Sequence, residues 1–97
     1  MHRLIFKPIA ELDAADTYRW YNDKRDGLGD EFLLALDAEF NAIQRNPFHF
    51  LVVYKNIRRA LTRRFPFGIF FIVEEDTIFV LAIQHTSRNP KVWKGRS

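Results

Sequence analysis

The 97-residue chain has no cysteine, a formal net charge of +3, and ten Phe, two Trp and three Tyr. The missing thiols exclude a disulfide framework, a thiolate nucleophile and cysteine-ligated zinc. The aromatic rings, each covering ~150–250 Å² when enclosed, suffice for one core, and a single domain over residues 1–97 is expected.

"MHRLIFKPIAELD" has only a short apolar stretch before Lys7 and Pro8. A secretory signal needs ~7–15 apolar residues and a membrane span ~20, so a soluble, cytoplasmic protein without membrane contact is expected. The charge is asymmetric. Residues 1–46 carry six Lys/Arg and nine Asp/Glu; residues 47–97 carry nine Lys/Arg and three Asp/Glu. The positive field of the second half suits an anionic partner, either nucleic acid or an acidic protein segment.

"HRLIF", residues 2–6, is β-compatible. Pro8 fits the first turn of a helix, where its missing N–H is not needed. Ile9, Leu12, Ala15 and Tyr18 then recur at three-residue steps, which predicts an amphipathic first helix. Gly27 and Gly29 supply the reversal, because glycine accepts positive φ. Phe32, Leu33, Leu36, Phe40 and Ile43 form one stripe of a second helix, ended by Asn46-Pro47.

Beyond Pro47 the period changes. "NIRRALTRRF" reads as one strand over 56–65, with Ile57, Arg59, Leu61, Arg63 and Phe65 on one side and Arg58, Ala60, Thr62 and Arg64 on the other. "GIFFIVE" (68–74) and "TIFVLAIQH" (77–85) read as a central hairpin, apolar on both faces. The order β-α-α-β-β-β predicts an α+β fold of two layers, a largely antiparallel sheet packed against a helix hairpin.

Few residues invite chemistry. No Gly-rich phosphate loop, HExxH or CxxC is present, and "DGLGDEF" lacks the Lys-Ser/Thr ending of a phosphate loop. His2, His49 and His85 are too scattered for metal ligation, so no metal or cofactor is expected. Ser87 and Ser97 are the only serines, which leaves a catalytic triad almost without candidates. The arginine pairs Arg58/Arg59 and Arg63/Arg64 either guard a strand edge or present planar donors to phosphate or carboxylate. His85 with Arg88 is either a polar strand end or an acid/base site. Trp93 either caps the core or stacks on a partner, with packing the favoured reading.

Trp20-Tyr21, Gly27-Leu28-Gly29, Asn46-Pro47, Ile57-Arg58-Arg59, Arg63-Arg64-Phe65-Pro66, and His85 followed by Arg88, Pro90 and Trp93 form an ordered set. Together they resemble the ParE branch of the RelE/ParE toxin superfamily across nearly the whole chain. The resemblance implies the toxin of a type II toxin–antitoxin (plasmid stabilisation) module. Such a toxin is neutralised by a cognate antitoxin, and the assembly is a homodimer or a toxin–antitoxin heterotetramer. ParE-like members inhibit DNA gyrase without being hydrolases; RelE-like members cut mRNA on the ribosome. Nuclease members often carry an arginine before the third strand's apolar run, where Gly68 stands here. That departure favours the non-enzymatic gyrase inhibitor and keeps the endoribonuclease as the alternative. A nuclease would use Arg64, His85 and Arg88. A binding toxin would meet its target through Arg58, Arg59, Arg63, Arg64, Arg88 and Trp93.

Overall fold

Proline and glycine placement sets the boundaries of the first half. The computed structural model describes residues 1–96; Ser97 lies outside the described residues. Strand β1 (Arg3–Phe6) leads through Lys7 into helix α1 (Pro8–Lys24), with Pro8 at its first position. Gly27, at φ 87°, turns the chain into helix α2 (Leu28–Arg45). A single turn of 3₁₀ helix (Pro47–His49) then leads into the sheet.

Strands β2 (Leu51–Tyr54), β3 (Ile57–Leu61), β4 (Phe67–Glu74) and β5 (Thr77–His85) follow, and a short helix α3 (Lys91–Lys94) closes the described chain. The fold is α+β. One five-stranded sheet, in the order β1-β5-β4-β3-β2, packs against the α1–α2 hairpin. β1 pairs with β5 in parallel and every other neighbouring pair is antiparallel.

Two expectations about the strands need correction. The sheet has one strand more than the sequence pattern suggested, because "LVVY" at 51–54 is short and apolar at every position. No alternation marks it as a strand; only pairing with β3 defines it. The expected strand over 56–65 ends at Leu61. The Thr62 hydroxyl donates to the Phe65 carbonyl at 2.6 Å, and Arg64 takes φ 71°, so residues 62–66 form a turn before β4. Arg63 and Arg64 therefore leave the sheet.

The core has two sides. Against the helices, Ile69, Phe71, Ile78, Val80 and Ile83 meet Phe32, Leu36 and Ile43 from α2. On the opposite face, Ile57, Phe70, Leu81 and Ala82 are covered by Trp93. Its ring stacks on Phe70 with centroids 4.3 Å apart and planes at 17°. The hairpin β4–β5 is thus buried on both faces, as its unbroken apolar runs require.

α1 turns a different face inward from the predicted one. Ile9 and Leu12 are exposed, at 48% and 59%, while Ala10 is fully buried and Ala14 and Tyr21 pack against the core. Small residues win here because the two helices approach closely. Gly29, read from the sequence as part of the turn, lies buried inside α2. A Cβ on it would stand 2.6 Å from the Tyr18 carbonyl oxygen and 2.8 Å from Asn22 Oδ1. That Asn22 oxygen accepts the Gly29 amide at 2.7 Å, fixing the crossing of the hairpin.

Gly29→Ala is expected to destabilise the protein by about 1–3 kcal/mol through overpacking. Gly27→Ala meets open space and is expected to cost only its positive φ, about 1 kcal/mol. Urea midpoints of the two variants check the order.

Candidate functional site

Alternation along β3 sends Arg58 and Arg59 to opposite faces. Arg58 turns to the helix side and serves its own chain. Its guanidinium donates to the Phe50 carbonyl at 2.7 Å and lies 5.1 Å from the centre of the Phe48 ring. It staples the turn before β2 to the sheet. Arg59 turns to the opposite face, across from Phe70. Its Cδ lies 3.3 Å from where a Cβ on Gly68 would stand, so its stem fills the notch over that glycine. Its guanidinium has no hydrogen-bond or ion-pair partner among the described residues.

Gly68 itself is buried. A Cβ there would also meet two Phe70 ring carbons at 3.1 Å. A long cationic side chain at this position would need both neighbours to move.

The loop after β3 separates the second pair. Arg64 donates to Glu31 Oε1 at 2.8 Å and lies 5.4 Å from the Phe65 ring centre. Glu31 also accepts from Arg25 at 3.1 Å. The hydrogen bond from Arg64, and then the nearby charge of Arg25, hold the Glu31 carboxyl below the usual glutamate range against an opposing desolvation effect. Arg63, on the same loop, is exposed and unpaired among the described residues.

His85 and Arg88 lie elsewhere again, at the end of β5 and in the turn after it. His85 Nδ1 accepts the Ser87 amide at 3.0 Å and lies 2.7 Å from Ser87 Oγ. An amide N–H can only donate, so Nδ1 presents its lone pair and the neutral ring carries its proton on Nε2. Both residues line a groove of about 520 Å³ between α1 and β5, whose other walls include Asp13, Trp20, Tyr21 and Arg96. Arg64 is not among its walls. The three residues named for a nuclease are therefore not gathered in one groove.

One pairing in that groove had no signal in the sequence. β1 ends at Phe6, so among the described residues β5 beyond Val80 has no neighbouring strand on that side, while β4 still pairs with it on the other. Asp13 and Arg96 stand in for it. Asp13 Oδ2 accepts the Ile83 amide at 3.0 Å, and Arg96 donates to the Leu81 carbonyl at 3.3 Å. The two side chains join at 2.5 Å, with only 12% and 17% of their surfaces exposed. Residues 83 apart in sequence, on two elements, cannot be matched by local pattern. Trp93, 7% exposed, packs α3 onto the sheet from beneath. Among the described residues, no cluster of three or more His, Asp or Glu is placed to hold a metal ion.

The family model for the ParE toxin of the type II toxin–antitoxin system, parDE, matches residues 4–90. The chain belongs to the ParE toxin family. No curated protein matches it significantly. A solved structure described as the chromosomal ParDE TA system from P. aeruginosa superposes with a TM-score of 0.77 at 18% identity, covering 88% of this chain and 96% of that one. At that identity the likeness is one of fold. The ParE match spans the hairpin, the sheet from Leu4 onward and the His85–Arg88 turn, and stops just before α3. Among the described residues, no helix of this ParE-family chain is long and apolar enough to cross a membrane.

Arg96→Ala is expected to destabilise the fold by about 1–3 kcal/mol, because it strips a partly buried carboxylate of its cation. Chemical denaturation measures it. Glu31 has a lower pKa folded than unfolded. Its stabilising contribution is present above the unfolded value and is lost as pH falls through the folded one. A carboxyl NMR titration should place its midpoint below the ordinary glutamate value, and Arg64→Ala should move it back upward.

Proposed function

We propose that this chain is a ParE-type toxin that binds and inhibits DNA gyrase without hydrolytic chemistry, and that a cognate antitoxin holds it silent in the cytoplasm. The observation that carries this reading is the dispersal of the cations. Arg59 lies half-buried on the face of β3 away from the helices, Arg63 on the following loop and Arg88 on the turn after β5, each with a guanidinium that has no hydrogen-bond or ion-pair partner among the described residues. A hydrolytic site for phosphodiesters needs a base and cations converging on one phosphate. A surface that grips a macromolecule needs only spread, positioned charge. The Gly68 notch, filled by Phe70 and Arg59, also argues against the extra arginine of nuclease members.

On this reading the target meets Arg59, Arg63 and Arg88 directly. Arg64 joins them when Glu31 releases it, while Arg58 and Trp93 hold β2 and α3 in place. The assembly with the antitoxin is a heterotetramer, or a homodimer of the toxin when free.

The test is gyrase supercoiling with purified protein. Wild type should inhibit at stoichiometric excess. Arg63→Glu with Arg88→Glu should weaken inhibition by about tenfold or more, and His85→Ala should leave it intact. Folded protein without inhibition, together with codon-phased mRNA cuts abolished by His85→Ala, would establish the endoribonuclease instead.

A further inference from the structure

The turn after β5 brings a hydroxyl against an imidazole. Ser87 Oγ lies 2.7 Å from His85 Nδ1. The same nitrogen accepts the Ser87 amide at 3.0 Å, so it carries a lone pair and the hydroxyl donates to it. A neutral imidazole that can take a hydroxyl proton makes a serine a better nucleophile. The imidazole is itself held in place. It meets the Phe67 ring edge to face, with centroids 5.3 Å apart. Ser87 is exposed, so a reagent from solution can reach its oxygen.

The surroundings select the reagent. Ser87 borders the α1–β5 groove of about 520 Å³, whose walls include the rings of Trp20, Tyr21 and Phe67. That space holds a small organic group. Arg96 is committed to Asp13 and the Leu81 carbonyl, which leaves Arg88 as the unpaired cation of the groove among the described residues. One cation suits the single negative charge that grows on an acyl oxygen. Phosphoryl transfer spreads charge over three oxygens and calls for several cations.

The same turn lacks the means for turnover. An oxyanion hole needs free amides, but the Ser87 amide is bound to Nδ1 and the Arg88 amide to the His85 carbonyl at 2.9 Å. Among the described residues no carboxylate hydrogen-bonds to His85, so nothing steadies an imidazolium through a cycle. The pair suits one stoichiometric acylation and not repeated hydrolysis.

We propose that Ser87 is a covalent modification site, acylated on Oγ by a small activated acyl donor, a thioester or an acyl phosphate, with His85 as its base. Oγ attacks the acyl carbon while Nδ1 takes the hydroxyl proton. The Oγ–C bond forms, the bond from that carbon to sulfur or to the phosphate oxygen breaks, and its electron pair leaves with the thiolate or phosphate. The imidazolium then gives its proton to the leaving group or to water. The step is independent of gyrase as the target, and its test contains no gyrase.

The probe is p-nitrophenyl acetate, a small activated ester, added to the full chain at neutral pH. The expected result is a burst of one equivalent of p-nitrophenolate per chain, with the acetyl group mapped by mass spectrometry to Ser87 ahead of the lysines. Ser87→Ala should abolish the burst. His85→Ala should slow labelling of Ser87 by about a hundredfold, and added imidazole should restore part of the rate, which it would not do for a histidine that only shaped the turn. Label on lysines or on His85 with Ser87 unmodified, or an unchanged rate in His85→Ala, would overturn the proposal. Steady release of many equivalents with no trapped ester would overturn it in favour of an esterase.

Discussion

The architecture depends on one constraint: β4 and β5 are apolar on both faces and must be covered on both. The helix hairpin covers one side through Phe32, Leu36 and Ile43. Trp93 covers the other by stacking on Phe70. Everything basic is then left to the periphery, because a charged group cannot enter either layer without losing its hydration. The stiffness of the sheet and the exposure of its arginines have the same origin.

A second constraint comes from the edges. A sheet whose strands differ in length exposes unpaired amides and carbonyls, and these need partners. Where β1 stops short of the end of β5, a carboxylate and a guanidinium supply the acceptor and the donor. Where β2 ends the sheet, no side chain among the described residues does so. Arg58 works on the inner side of that edge, holding the Phe48–Phe50 turn by two carbonyls. Arg59, its neighbour in sequence, is left to the outside.

This separation gives the surface its character. Adjacent arginines do different work because a strand alternates and a loop does not. Arg64 folds back on Glu31, whose second partner Arg25 ties the same carboxylate to the end of α1. The aromatic rings of Tyr21, Phe32, Phe65 and Phe67, with centroids 5.0–5.5 Å apart where Phe65 and Phe32 meet their neighbours, anchor the loop that carries Arg63 and Arg64. Charge is thereby spread over a frame made by the sheet and the helix hairpin.

The sequence by itself determined the fold class, the helix hairpin, the central β4–β5 pair and the location of the positive field. Each of these follows from local periodicity, from Pro and Gly, or from composition, all of which act within a few residues. The α2 stripe was legible because large apolar residues recur along one face; the inward face of α1 was not, because Ala10 and Ala14 carry no strong pattern. Tertiary structure alone decided that β2 is a strand, that Arg63 and Arg64 lie in a turn, and that Asp13 meets Arg96. Those features arise from contacts between distant segments, whose free energy is set by which groups burial leaves unpaired. No local preference of the chain encodes that.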